Sequence, residues 1–207
     1  MKRRFAVVAV VFAWSGAVFA QDTSMSFFVT SVNPGKGGDL GGLQGADAYC
    51  DGLAKAAGST GKTWKAYLST NLENARDRIG SGPWHNAKGE KIADDIASLH
   101  SDKNNLTKQT ALNEKGEVIN GRGDTPNRHD ILTGSKADGT AAAETCGNWT
   151  MGAADGAAMV GHSDRTGLND SAEAKSWNAS HPTRGGCTVE AFKGTGGEGL
   201  FYCFAAN

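Results

Sequence analysis

The chain has 207 residues, a formal net charge of −1, 39 % hydrophobic residues and 29 glycines, roughly double the usual glycine share of about 7 %. With no basic excess and no Lys/Arg cluster, nucleic acid is excluded as the expected partner. A chain this long can bury a sizeable core, but its glycine content predicts many turns and long loops around a modest sheet.

Lys2, Arg3 and Arg4 precede an apolar run from Phe5 to Trp14, and Ala17-Val18-Phe19-Ala20 offers small residues for cleavage. This is the pattern of an export signal over 1–20. Its loss takes 20 residues and three positive charges, leaving 187 residues at −4 in a single domain, 21–207. The run is too short to span a bilayer, which takes about 20 apolar residues, so the expected location is secreted or periplasmic, without a membrane span.

Phe27 to Ser31 is β-branched and aromatic and ends at Asn33-Pro34-Gly35, which predicts a strand and a turn. Leu43, Ala46, Tyr49, Cys50, Leu53, Ala54 and Ala57 fall three and four apart before Gly58, which predicts an amphipathic helix. Trp64–Ser69 alternates as a strand, and Ile92, Ile96 and Leu99 suggest a short helix. The stretch 101–145 is polar and broken by glycines, with Ile131-Leu132 reaching the core. Three short strands are expected beyond it, over 148–151, 157–161 and 199–205. The last is apolar on both faces and should be central.

Four cysteines, Cys50, Cys146, Cys187 and Cys203, in an exported chain read as two disulfides; by count alone three pairings are open. Their contexts, Gly45-Ala46-Asp47-Ala48-Tyr49-Cys50, Thr63-Trp64-Lys65-Ala66-Tyr67-Leu68-Ser69, Ile131-Leu132-Thr133-Gly134-Ser135, Cys146-Gly147-Asn148-Trp149-Thr150, Cys187 and Tyr202-Cys203, resemble endostatin in content and order over about 27–207. The resemblance implies an α+β, C-type-lectin-like fold: a mixed twisted sheet with one main helix and long loops. It also implies nested pairing, Cys50 with Cys203 and Cys146 with Cys187.

Sugar-binding lectins of that superfamily hold calcium through a Glu-Pro-Asn or Gln-Pro-Asp triplet and a later Trp-Asn-Asp. Thr125-Pro126-Asn127 and Trp177-Asn178-Ala179 each lack a ligand of that pattern, and a hard dication wants six to eight oxygens. No calcium site, and neither the zinc site nor the heparin surface of endostatin, is carried over. His162-Ser163-Asp164 places a ring and a carboxylate on one strand face, and with His181 could bind zinc. No metal-ligand spacing supports this, so His162 and Asp164 are read as ordering a loop with Arg165, and neither cofactor nor metal is expected. Gly161-His162-Ser163-Asp164-Arg165 lacks the second glycine of a nucleophile elbow.

Loop tryptophans beside Asn and His suit sugar stacking. The expected function is therefore non-catalytic binding of a glycan or surface polymer, or of a surface protein, by Trp84, His162, Asp164, Arg165, Trp177, Asn178 and His181. A small secreted hydrolase is the alternative.

Overall fold

The computed structural model describes residues 25–207; the expected signal segment, 1–20, lies outside them. The elements run β1 (Phe27–Val29), α1 (Gly42–Ala56), β2 (Trp64–Ala66), a 3-10 turn at Ala75–Asp77, β3 (Trp84–His85), β4 (Lys91–Ala93) and α2 (Ile96–Leu99). After a long loop come β5 (Asp130–Leu132), α3 (Cys146–Trp149), β6 (Met159–His162), β7 (His181–Pro182), α4 (Val189–Thr195) and β8 (Gly197–Ala205). The architecture is α+β.

β8 is the axis of a mixed six-stranded sheet. β1 runs antiparallel along one of its edges; along the other, β5 pairs parallel with its first half and β2 antiparallel with its last residues. β6 and β7 extend the sheet beyond β5, each antiparallel to its neighbour. Strand side chains alternate between faces, and the core divides accordingly. Phe28, Phe201, Cys203 and Ala205 pack toward α1, while Phe27, Val29, Leu200, Tyr202 and Phe204 face the layer built from the 75–119 segment. Burial on both faces is why β8 reads as a nearly unbroken apolar run.

Helix α1 buries Ala46, Cys50 and Ala54, one stripe at a four-residue spacing. It stops where Gly58, at φ 85°, takes a left-handed conformation and its N–H donates to Lys55 while that of Ser59 donates to Ala54. This pair of bonds is a Schellman ending, for which glycine is the favoured residue. Asp47 ties the helix to the sheet, accepting from the Ala66 N–H and from the buried Arg78 guanidinium. Two disulfides pin the layers: Cys50–Cys203 joins α1 to β8, and Cys146–Cys187 closes the C-terminal half.

Two expected elements form differently. The helix expected over 92–99 is a strand, β4, followed by the single turn α2, because Asp95 accepts from the Ser98 N–H and Ser98 answers at the Asp95 N–H; this capping box fixes the helix start at Ile96. The strand expected over 148–151 is instead a left-handed turn, with φ of 47°, 61°, 56° and 67° at Cys146, Gly147, Asn148 and Trp149. Such backbone costs roughly 1–2 kcal/mol per non-glycine residue. Three ties offset this: the Cys146–Cys187 bond, the Trp149 Nε1–H donated to the Ser69 carbonyl, and the Asn71 N–H donated to Asn148 Oδ1.

Candidate metal centre

At one end of the sheet, strand pairing collects side chains that are far apart in sequence. Asp130 opens β5 and stands directly opposite His162, which closes β6; His181 opens β7 opposite Val160. Residues opposite one another share a face, as do residues two apart, so Asp130, His162 and His181 point the same way. His129, just before β5, lays its ring flat on that of His162, with centroids 4.3 Å apart and planes at 5°. His129, Asp130 and His162 are all buried and can each offer a ligand atom within 4.8 Å of the others.

Asp130 Oδ1 lies 3.2 Å from His129 Nε2, 3.3 Å from His162 Nε2 and 3.8 Å from His181 Nε2, and the two last nitrogens are 3.0 Å apart. A tetrahedral ion with bonds of about 2.0–2.1 Å has edges of about 3.3–3.4 Å between donor atoms. The three spacings from Asp130 and the His162–His181 spacing bracket that value, while His181 stands outside the group of three whose donor atoms all lie within 4.8 Å of one another.

The hydrogen bonds on the far side of each ring fix what these atoms are. His129 Nδ1 meets the Asp164 carboxylate at 2.9 Å, His162 Nδ1 meets the Ala174 carbonyl at 2.7 Å, and His181 Nδ1 meets the Pro182 carbonyl at 3.1 Å. Each oxygen can only accept, so each Nδ1 carries a proton and Nε2 is the ring atom left to face Asp130, a donor to the carboxylate when the ring is charged and a ligand atom when it is neutral. Both Asp130 carboxylate oxygens are buried and have no hydrogen-bond partner among the described residues. His129, Asp130 and His162 thus offer three buried donor atoms close to one another, while the stacked His129 and His162 rings direct their Nε2 atoms along nearly parallel planes. A carboxylate or carbonyl behind each metal-binding histidine is the usual arrangement for setting ring orientation and raising ligand basicity.

Burial alone would lower the His162 pKa, but the Asp130 carboxylate and the Ala174 carbonyl outweigh it and hold the ring above its ordinary value. Burial would raise the Asp164 pKa, yet bonds from His129 and the Arg122 N–H keep it below the usual carboxylate range. Asp164 is thus a committed anion whose task is to hold His129.

Close backbone approach makes these bonds possible. A Cβ on Gly161 would lie 1.9 Å from the Trp177 carbonyl oxygen, and one on Gly121 would lie 2.6 Å from Asp164 Oδ2. Glycine at 161 lets the 174–178 segment lie on β6, where Ala174 reaches His162; at 121 it lets the Arg122 N–H reach Asp164.

The centre forms the floor of a cleft of about 640 Å3, with His181 at its mouth and Leu168, Arg122 and Arg184 among its walls. Of the residues expected to bind a ligand, His162 and His181 are in the centre and Asp164 stands behind it. Arg165 is turned aside, donating to the Lys175 carbonyl and Asn104. Trp84 and Trp177 are core side chains: Trp84 packs on Phe204 and donates to the Ala205 carbonyl, while Trp177 packs between Tyr67, His100 and Tyr202. Asn178 is buried, its amide spent on Tyr67 and the Lys136 carbonyl. Those three do not join the histidine cluster. His129 and Asp130 escaped the sequence reading; the available signal was a polar pair at the mouth of a buried apolar dipeptide, Ile131-Leu132.

No protein-family model matches the chain, and no curated protein matches it.

Proposed function

We propose that this domain is an exported metal-centred binding module, in which His129, Asp130, His162 and His181 hold a first-row transition ion. Imidazole nitrogens suit zinc, copper, iron or nickel, and a tetrahedral N3O set favours zinc. The observation that carries this reading is the buried cluster, in which the Asp130 carboxylate, without a hydrogen-bond partner among the described residues, lies 3.2 Å from His129 Nε2 and 3.3 Å from His162 Nε2. A buried carboxylate needs a countercharge, and a dication held by the same imidazoles would supply one.

Export fits two disulfides and the absence, among the described residues, of any helix long and apolar enough to cross a membrane. A C-type-lectin-like fold, proposed from the resemblance to endostatin, fits the nested disulfides, the mixed sheet and the single long helix. A glycan or surface polymer remains the proposed ligand, entering the cleft above the ion instead of stacking on Trp84 or Trp177.

The test is elemental analysis and zinc titration of the purified protein beside Asp130→Asn and His162→Ala. Wild type is expected to hold one zinc per chain, with affinity lowered at least about 100-fold in either variant, a loss beyond that of any outer-shell partner. Loading should weaken as pH falls through the imidazole range, because the ion and the proton compete for the same nitrogens. A wild-type chain that takes up no zinc, copper, nickel or iron would exclude the centre.

A further inference from the structure

The described residues include six arginines, and their pairing divides them sharply. Arg76 bonds to the Asp138 carbonyl, Arg78 to Asp47 and Glu73, Arg128 to Glu198 and the Ser31 carbonyl, and Arg165 to Asn104 and the Lys175 carbonyl. Arg122 and Arg184 have no ion-pair or hydrogen-bond partner for their guanidinium groups among the described residues, and both line the histidine cleft. Arg122 is also fixed at its backbone, whose N–H donates to Asp164, the anion behind His129. The one carboxylate on the cleft wall, Glu173, is held below its ordinary pKa by its own backbone N–H and by Ser171. It is therefore engaged locally.

Resting on the metal-centred reading, we propose that the cleft takes a ligand through an oxyanion group, a carboxylate or a phosphate, which joins the ion from the His181 side and is clamped by Arg122 and Arg184. A dication offsets the charges of Asp130 and of Asp164 behind His129, and the ion's own charge dominates the local field. Two unpaired guanidiniums beside a bound dication favour an anion between them, and their planar forks match the oxygens of carboxylate and phosphate. His181 marks the open side: its ring is the most exposed of the three, 39 % against 4 % for His129 and His162, and its nitrogen is the farthest from Asp130. An incoming oxygen can therefore reach the ion there with the least rearrangement.

The experiment loads the full chain with cobalt in place of zinc and follows the visible cobalt spectrum during titration with acetate in one arm and inorganic phosphate in the other. Either anion is expected to shift the spectrum saturably, and whichever binds tighter names the oxyanion. The double variant Arg122→Ala/Arg184→Ala should keep its cobalt and bind at least about tenfold more weakly, since each hydrogen bond to a charged group is worth more than that. Cobalt bound with an unmoved spectrum in both arms would overturn the oxyanion proposal and leave the metal centre standing; so would a double variant that titrates like wild type, as far as the clamp is concerned. Failure to take up cobalt or zinc at all would overturn both.

Discussion

Two buried polar clusters lie within this fold, and they differ in one respect. Around Tyr67 every donor meets an acceptor: the hydroxyl donates to His100 Nε2, which is free to accept because His100 Nδ1 is engaged by the Ile96 carbonyl, and the Asn178 amide donates to the Tyr67 oxygen and the Lys136 carbonyl. Around Asp130 the same residue types meet at ion-pair distance, three imidazole nitrogens turned toward a carboxylate that has no hydrogen-bond partner among the described residues. A closed network stabilises and specifies a core. A carboxylate left so calls for a positive charge beside it, which a protonated imidazole or, as proposed above, a bound metal ion supplies. The same contrast separates the arginines, four spent within the fold and two left facing the cleft.

The largest expected effect tests the closed side. Trp177→Ala removes a side chain packed on Tyr67, His100 and Tyr202 and should cost about 3–5 kcal/mol in chemical denaturation of the metal-free chain; a ligand-stacking tryptophan would lose binding with an unchanged midpoint. Next, Asp164→Asn sharpens the open side. It keeps the shape but weakens the hold on His129, so zinc affinity should fall about 10–100-fold in a competition titration, and unchanged affinity would detach Asp164 from the centre. Smallest, Tyr67→Phe leaves His100 Nε2 and the Asn178 amide short of a partner and should cost about 1–3 kcal/mol. Zinc uptake should match wild type, and a parallel loss would show that the two clusters are coupled.

Much of the frame was legible because it depends on local order. The three-and-four spacing from Leu43 to Ala57 with Gly58 behind it gives α1, and the apolar run ending the chain gives β8, because burial on each face leaves its mark residue by residue. The nested pairing implied by the resemblance to endostatin is the one the structure has. β7 was not legible, since His181-Pro182 is two residues long and exists only as a partner of β6. Nor was the left-handed turn at Cys146–Trp149, which distant ties to Cys187, Ser69 and Asn71 hold in place.

The candidate site divides along the same line. Residue types and strand alternation marked His162, Asp164 and His181 as chemistry near one strand end, and local sequence determined that much. Pairing decided that Asp130 faces His162, that His129 stacks on it, that Asp164 supports His129 from behind, and that Trp177 and Asn178 turn inward. The physical reason is range. Periodicity and capping act over a few residues and are written in neighbours, whereas a coordination shell is set by register between strands some thirty residues apart. No spacing along the chain encodes that until the strands have paired.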